Sequence, residues 1–119
     1  MTTEEELHDH LERLHQRTGE ATGYWPHRFL SSVRSKGGLA VAKQLLAPGQ
    51  VSSGFVRLTE EHRADLSVEY IVLSDKYASF FTTVELDEAR QRLATLPKSA
   101  FPTTLSDRVS SGDEVPPGT

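Results

Sequence analysis

Three stretches of this chain repeat their apolar residues at intervals of three and four, the period of a helix with one buried face. Leu7, Leu11 and Leu14 form the first stripe, Leu39, Ala42, Leu45 and Leu46 the second, and Leu86, Ala89, Leu93 and Leu96 the third. The end signals agree. Thr3 and Glu6 stand at capping-box spacing, with Glu4 and Glu5 at the positive end of the dipole, for a helix over residues 3–18 that Thr18-Gly19 and then Ala21-Thr22-Gly23 break. Pro26 lies in the first turn of a short helix with Phe29, Leu30 and Val33 as its buried face and Gly37 just past its end. Gly38 opens the next helix, which Pro48 and Gly49 stop. Ser52 or Ser53 caps another, carrying Phe55, Val56 and Leu58 and ending near Glu61 or His62. Thr82 or Thr83 caps the last, Val84 to Leu96, which Pro97 closes.

Residues 66–73 carry two signals. Leu66, Tyr70, Leu73 and Tyr77 follow helical spacing, which predicts a helix, while the β-branched and aromatic run Val68, Tyr70, Ile71 and Val72 leaves a strand as the alternative. The fold class expected is all-α, a compact bundle of about five to six short helices with a disordered C-terminal tail. Its parts are an amphipathic N-terminal helix and linker over 1–23, a helical domain over 24–97 and a Pro/Ser-rich tail over 98–119. In that tail, Phe101, Leu105 and Val109 are spaced by four.

At 119 residues the chain suits one core, and without a single cysteine that core must hold by packing alone. The same absence excludes thiolate nucleophiles, thiolate-bound zinc and iron–sulfur clusters. The acidic start lacks the basic and then apolar order of a secretory signal, and no apolar run approaches the roughly 20 residues that span a bilayer. The cytoplasm is the expected compartment, with no membrane partner.

Charge is unevenly placed. Net charge is −4, yet from Ala21 to Thr59 there is no Asp or Glu, while Arg28, Arg34, Lys36, Lys43 and Arg57 all lie there. These five cations are the candidate anion- or nucleic-acid-binding residues, unless the acid-rich helices on either side, through Glu60, Glu69, Glu85 or Glu88, neutralise them. A helix-turn-helix reading takes residues 39–47 as first helix and 53–62 as recognition helix, with Arg57 toward the groove; Glu60 and Glu61 at its end oppose it. Leu7, Leu11, Leu14, Tyr24 and Trp25 are the candidate partner-binding residues, the leucines also offering a route to a homo-oligomer. An aromatic pair at a helix entrance is either an exposed anchor or a core edge, and the shortage of apolar mass favours burial of Trp25.

No nucleophile elbow, P-loop or dinucleotide fingerprint is present. His62, Asp65 and Ser67 have triad residue types but lie too close in sequence for triad geometry, and Asp65 with Glu69 is an i, i+4 carboxylate pair that reads as a cap plus a solvated face. His8, Glu12 and His15 share a helix face, a spacing suited to a divalent metal, but the further ligand zinc needs is missing from the pattern. No metal, cofactor or catalytic residue is expected.

The pattern of Gly37-Gly38-Leu39 with Ala42-Lys43 and Leu45-Leu46, then Ser53-Gly54-Phe55 with Leu58, then Asp65-Leu66-Ser67-Val68-Glu69 with Leu73, resembles a small helical domain of bacterial proteins to which no activity is assigned. The resemblance covers about residues 24–96 and implies one folded unit. The function expected is a non-enzymatic helical interaction module with a basic central face that binds a protein partner. Nucleic-acid binding through residues 26–58 and a small metal-dependent or acid/base enzyme are the alternatives.

Overall fold

The computed structural model describes residues 3–102, which form six α-helices and three single 3-10 turns, with no strand among the described residues. The helices are α1 (Glu4–Thr22), α2 (His27–Lys36), α3 (Gly38–Leu45), α4 (Ser53–Glu60), α5 (Val68–Val72) and α6 (Thr83–Ala94). Residues 103–119, and with them most of the expected tail, lie outside the described residues. Within 98–102 the chain is packed rather than loose: Lys98–Ala100 is a 3-10 turn, Ala100 is buried, and Phe101 stacks 6.2 Å from Tyr70.

Capping chemistry starts the helices where the sequence places it. Thr3 accepts the Glu6 N–H at 3.1 Å while Glu6 accepts the Thr3 N–H at 2.8 Å, and Thr82 with Glu85 repeats the arrangement on α6. Ser52 caps α4 through the Phe55 N–H. Of the two predicted breaks after residue 18, the second is the one that ends α1. Thr18 and Gly19 stay helical, and the helix stops at Gly23, whose φ of 80° is the left-handed conformation glycine supplies at a C-cap.

The stripe Leu7, Leu11 and Leu14 is buried in the common core with Val33, Val41, Leu46, Leu66 and Val72. Because α1 packs across α2 and α3, these leucines are spent inside the molecule, which corrects their assignment as partner-binding residues and as a route to an oligomer. The crossing with α3 depends on Gly38. A Cβ there would stand 2.7 Å from His8 Cα, and the Gly38 N–H donates to His8 Nδ1 at 2.9 Å, so a side chain of α1 caps the start of α3.

Residues 66–73 are helical, but not with the expected face. Ala64–Leu66 is a separate 3-10 turn, Ser67 caps α5 by accepting the Tyr70 N–H, and the buried residues of α5 are Val68, Glu69, Ile71 and Val72, while Tyr70 is exposed. The cap at Ser67 resets the helical phase, so a period counted through from Leu66 selects the wrong side. On α6 the buried positions are Ala89 and Arg92, with Leu86 and Leu93 only half-buried, as is Leu96 beyond its end.

Glu69 and Arg92 explain both departures. They form an ion pair of 2.7 Å with side chains that are 3% and 4% exposed. Arg92 also donates to Glu88 at 2.8 Å and to the backbone carbonyls of Leu45 and Ala47 at 2.7 Å each, so four of its five N–H groups are engaged. One guanidinium thus joins α5, α6 and the end of α3. Removing either partner leaves a buried charge without compensation, at about 3–5 kcal/mol. Arg92→Ala is expected to lower unfolding free energy in urea by about that amount, with Arg92→Lys intermediate because an ammonium cannot span both carbonyls and both carboxylates. A loss below about 1 kcal/mol for Arg92→Ala would show that the pair is not the tie between these helices.

Candidate functional site

The loop before α2 is built on a glycine of α1. Gly19 is buried, and the indole of Trp25 lies so close over it that a Cβ at position 19 would come within 2.1 Å of the ring. One face of Trp25 is covered in this way while the side chain remains 41% exposed, which corrects the expectation that it is buried. Its other neighbour is His15, with ring centroids 5.4 Å apart. Tyr24, the residue before it, carries the Arg57 guanidinium over its ring at 5.0 Å.

These two aromatics, α2, α3 and the first turn of α4 enclose an open cleft of about 580 Å³. Tyr24, Trp25, Phe29, Leu45, Phe55 and Leu58 supply most of its wall, and Arg28, Lys36 and Ser53 stand at its polar edge. Among the described residues one acid lines it, Glu69, which Arg92 already holds. Burial pushes the Glu69 carboxyl upward, against the pull of Arg92.

The five cations of the acid-free segment divide into two groups. Arg34 binds Glu12 at 3.2 Å, Arg57 binds Glu61 at 2.9 Å, and Lys43 binds Glu85 at 2.8 Å while lying 5.4 Å over the Phe81 ring. Of the acids expected to neutralise the segment, Glu85 does so; Glu69 and Glu88 bind Arg92 instead. Arg28 and Lys36 have no carboxylate partner among the described residues, Lys36 making only a 3.5 Å contact to Gln44. Both line the cleft. The sequence assigned the cations as a set, whereas the structure separates two cleft cations from three paired ones.

The catalytic constellations do not converge. His62, at a φ of 63° past the end of α4, turns its Nδ1 to the Ser99 carbonyl, Asp65 takes two hydrogen bonds from Arg63, and the Ser67 hydroxyl donates to the Ala64 carbonyl. Asp65 and Glu69 belong to different elements. His8 accepts from Gly38 and stands 3.6 Å from Glu12, but His15 pairs with His27, so the trio on α1 does not converge, and no group of three metal-ligating side chains occurs among the described residues. No described helix is long and apolar enough to cross a membrane.

A second, smaller hollow of about 260 Å³ lies beside His10, Arg17, Tyr70 and Tyr77. His10 Nδ1 is 3.1 Å from the Tyr77 hydroxyl. Burial, then Arg17, Arg13 and Lys76, hold the His10 ring below the usual imidazole range.

No family model matches this chain, and no curated protein or solved structure matches it.

Two outcomes follow from this geometry. Gly19→Ala is expected to push the indole off α1, shifting tryptophan emission to the red and lowering stability by about 1–3 kcal/mol; an unshifted spectrum would refute the stacking. Because the folded state lowers the His10 pKa, its contribution is fully present above the unfolded value near 6.5 and is lost as pH falls through the folded value. Thermal melts between about pH 7 and about pH 5 should show a shallower decline for His10→Gln than for the natural chain.

Proposed function

We propose that this protein is a non-enzymatic interaction module whose cleft between α2, α3 and α4 docks an acidic, amphipathic segment of a partner protein. The observation that carries this reading is the placement of Arg28 and Lys36. They are the two cations of the acid-free segment without a carboxylate partner among the described residues, and both edge an apolar cleft beside the exposed face of Trp25. An apolar groove with an aromatic anchor and cations at its rim suits a segment with one apolar face and flanking carboxylates, where the anchor supplies affinity and the rim supplies orientation.

Three observations favour a protein partner over nucleic acid. Arg34, Lys43 and Arg57 are already neutralised, the candidate recognition helix α4 turns its one cation to Glu61 and Tyr24, and net charge is −4. A duplex needs a run of free cations, and a short acidic segment needs two. Self-association through α1 finds no support in its buried leucines.

Anisotropy titrations test this with two labelled synthetic peptides that repeat Leu at helical spacing, one with Glu and one with Lys between. The Glu peptide should bind saturably and weaken with salt, and the Arg28→Glu, Lys36→Glu double variant should lose about tenfold in affinity, from about 0.5–1 kcal/mol per rim charge. Equal binding of the two peptides, or an unaffected double variant, would discard the reading.

A further inference from the structure

The wall of the cleft that carries Trp25 is tied to α1 by a hydrogen bond between two imidazoles. His15 Nε2 and His27 Nδ1 lie 3.0 Å apart, with ring centroids at 4.9 Å. Such a bond needs one nitrogen to donate and the other to accept. A neutral pair meets that need, and so does a pair holding one added proton. With two added protons only donors face each other, and attraction becomes repulsion between two cations.

The surroundings disfavour the second proton. From α2, Arg34 places its charge toward His15, and Arg28 follows His27 along the helix. From α1, Glu12 is one turn from His15, but it is held by Arg34 at 3.2 Å and stands 3.6 Å from His8. The remaining neighbour is the apolar face of Trp25. Burial, His27 and Arg34 accordingly hold His15 below its ordinary value. His27 is exposed and His15 half-buried, so protons have access to both.

We propose that the His15–His27 pair is a proton-operated latch on the cleft, closed near neutral pH to hold the Trp25 wall against α1 and opened by mild acidification, which releases the docked segment. The latch regulates the docking site proposed above and rests on that reading for its consequence. The motion itself can be read without any ligand, because Trp25 is the one tryptophan of the chain.

The test uses the full chain, the natural sequence beside His27→Gln, and the Glu-containing peptide, whose side chains stay ionised at about pH 7.5 and about pH 5.5. Without peptide, the Trp25 emission of the natural protein should change over this range while circular dichroism stays helical, and His27→Gln should not show the change. With peptide, affinity should fall about tenfold on acidification in the natural protein, the equivalent of one unit of proton linkage, and stay level in His27→Gln. An emission that is flat with pH, or that changes equally in His27→Gln, overturns the latch. A pH-dependent emission without peptide binding at either pH retains the latch and overturns the docking reading, so the two failures are distinct. His15→Gln serves as a second variant should His27→Gln not fold.

Discussion

The arrangement of the short helices depends on a buried guanidinium. Arg92 takes a charge out of water, an expense only a full set of acceptors offsets, and here Glu69, Glu88 and the carbonyls of Leu45 and Ala47 supply that set. One carbonyl belongs to the last residue of α3, a group a helix leaves without a partner of its own, and the other to Ala47 just past the C-cap. One side chain therefore finishes α3 while it fixes α5 against α6. Leu45 and Glu69 also line the cleft, so the ion pair stands directly behind the candidate binding surface.

Two glycines do for α1 what Arg92 does for the other side. At Gly38 the backbone of α3 approaches His8 closely enough to take a cap from its ring, and at Gly19 the surface of α1 is flat enough to seat an indole. A side chain at either position would push its neighbour away. Helix α1 is thus both core, through Leu7, Leu11 and Leu14, and scaffold, through the residues that aim Trp25 and pair with His27.

The uneven charge of the sequence resolves at the level of individual partners. Three cations from the acid-free segment meet acids in Glu12, Glu61 and Glu85, two of them contributed by α1 and α6 at opposite ends of the chain. The other two cations of that segment, Arg28 and Lys36, have no carboxylate partner among the described residues and line the cleft beside its apolar wall. Arg57 and Glu61 are four residues apart, but the other two pairings span 22 and 42 positions along the chain, well beyond the reach of any local pattern.

The sequence by itself determined the helical class, the capping of α1, α4 and α6, and the breaks at Gly37 and Pro48, because these depend on hydrogen bonds and backbone preferences within a few residues. It also carried the acid-free segment in which Arg28 and Lys36 lie. Tertiary structure decided the rest. Trp25 is half outside because Gly19 offers it a seat, and Glu69 and Arg92 are inside because each is the other's partner. Charged residues read singly are assigned to the surface, since burial is tolerated only in a complete bonding set. That set is assembled from three helices, so no single stretch of sequence contains it.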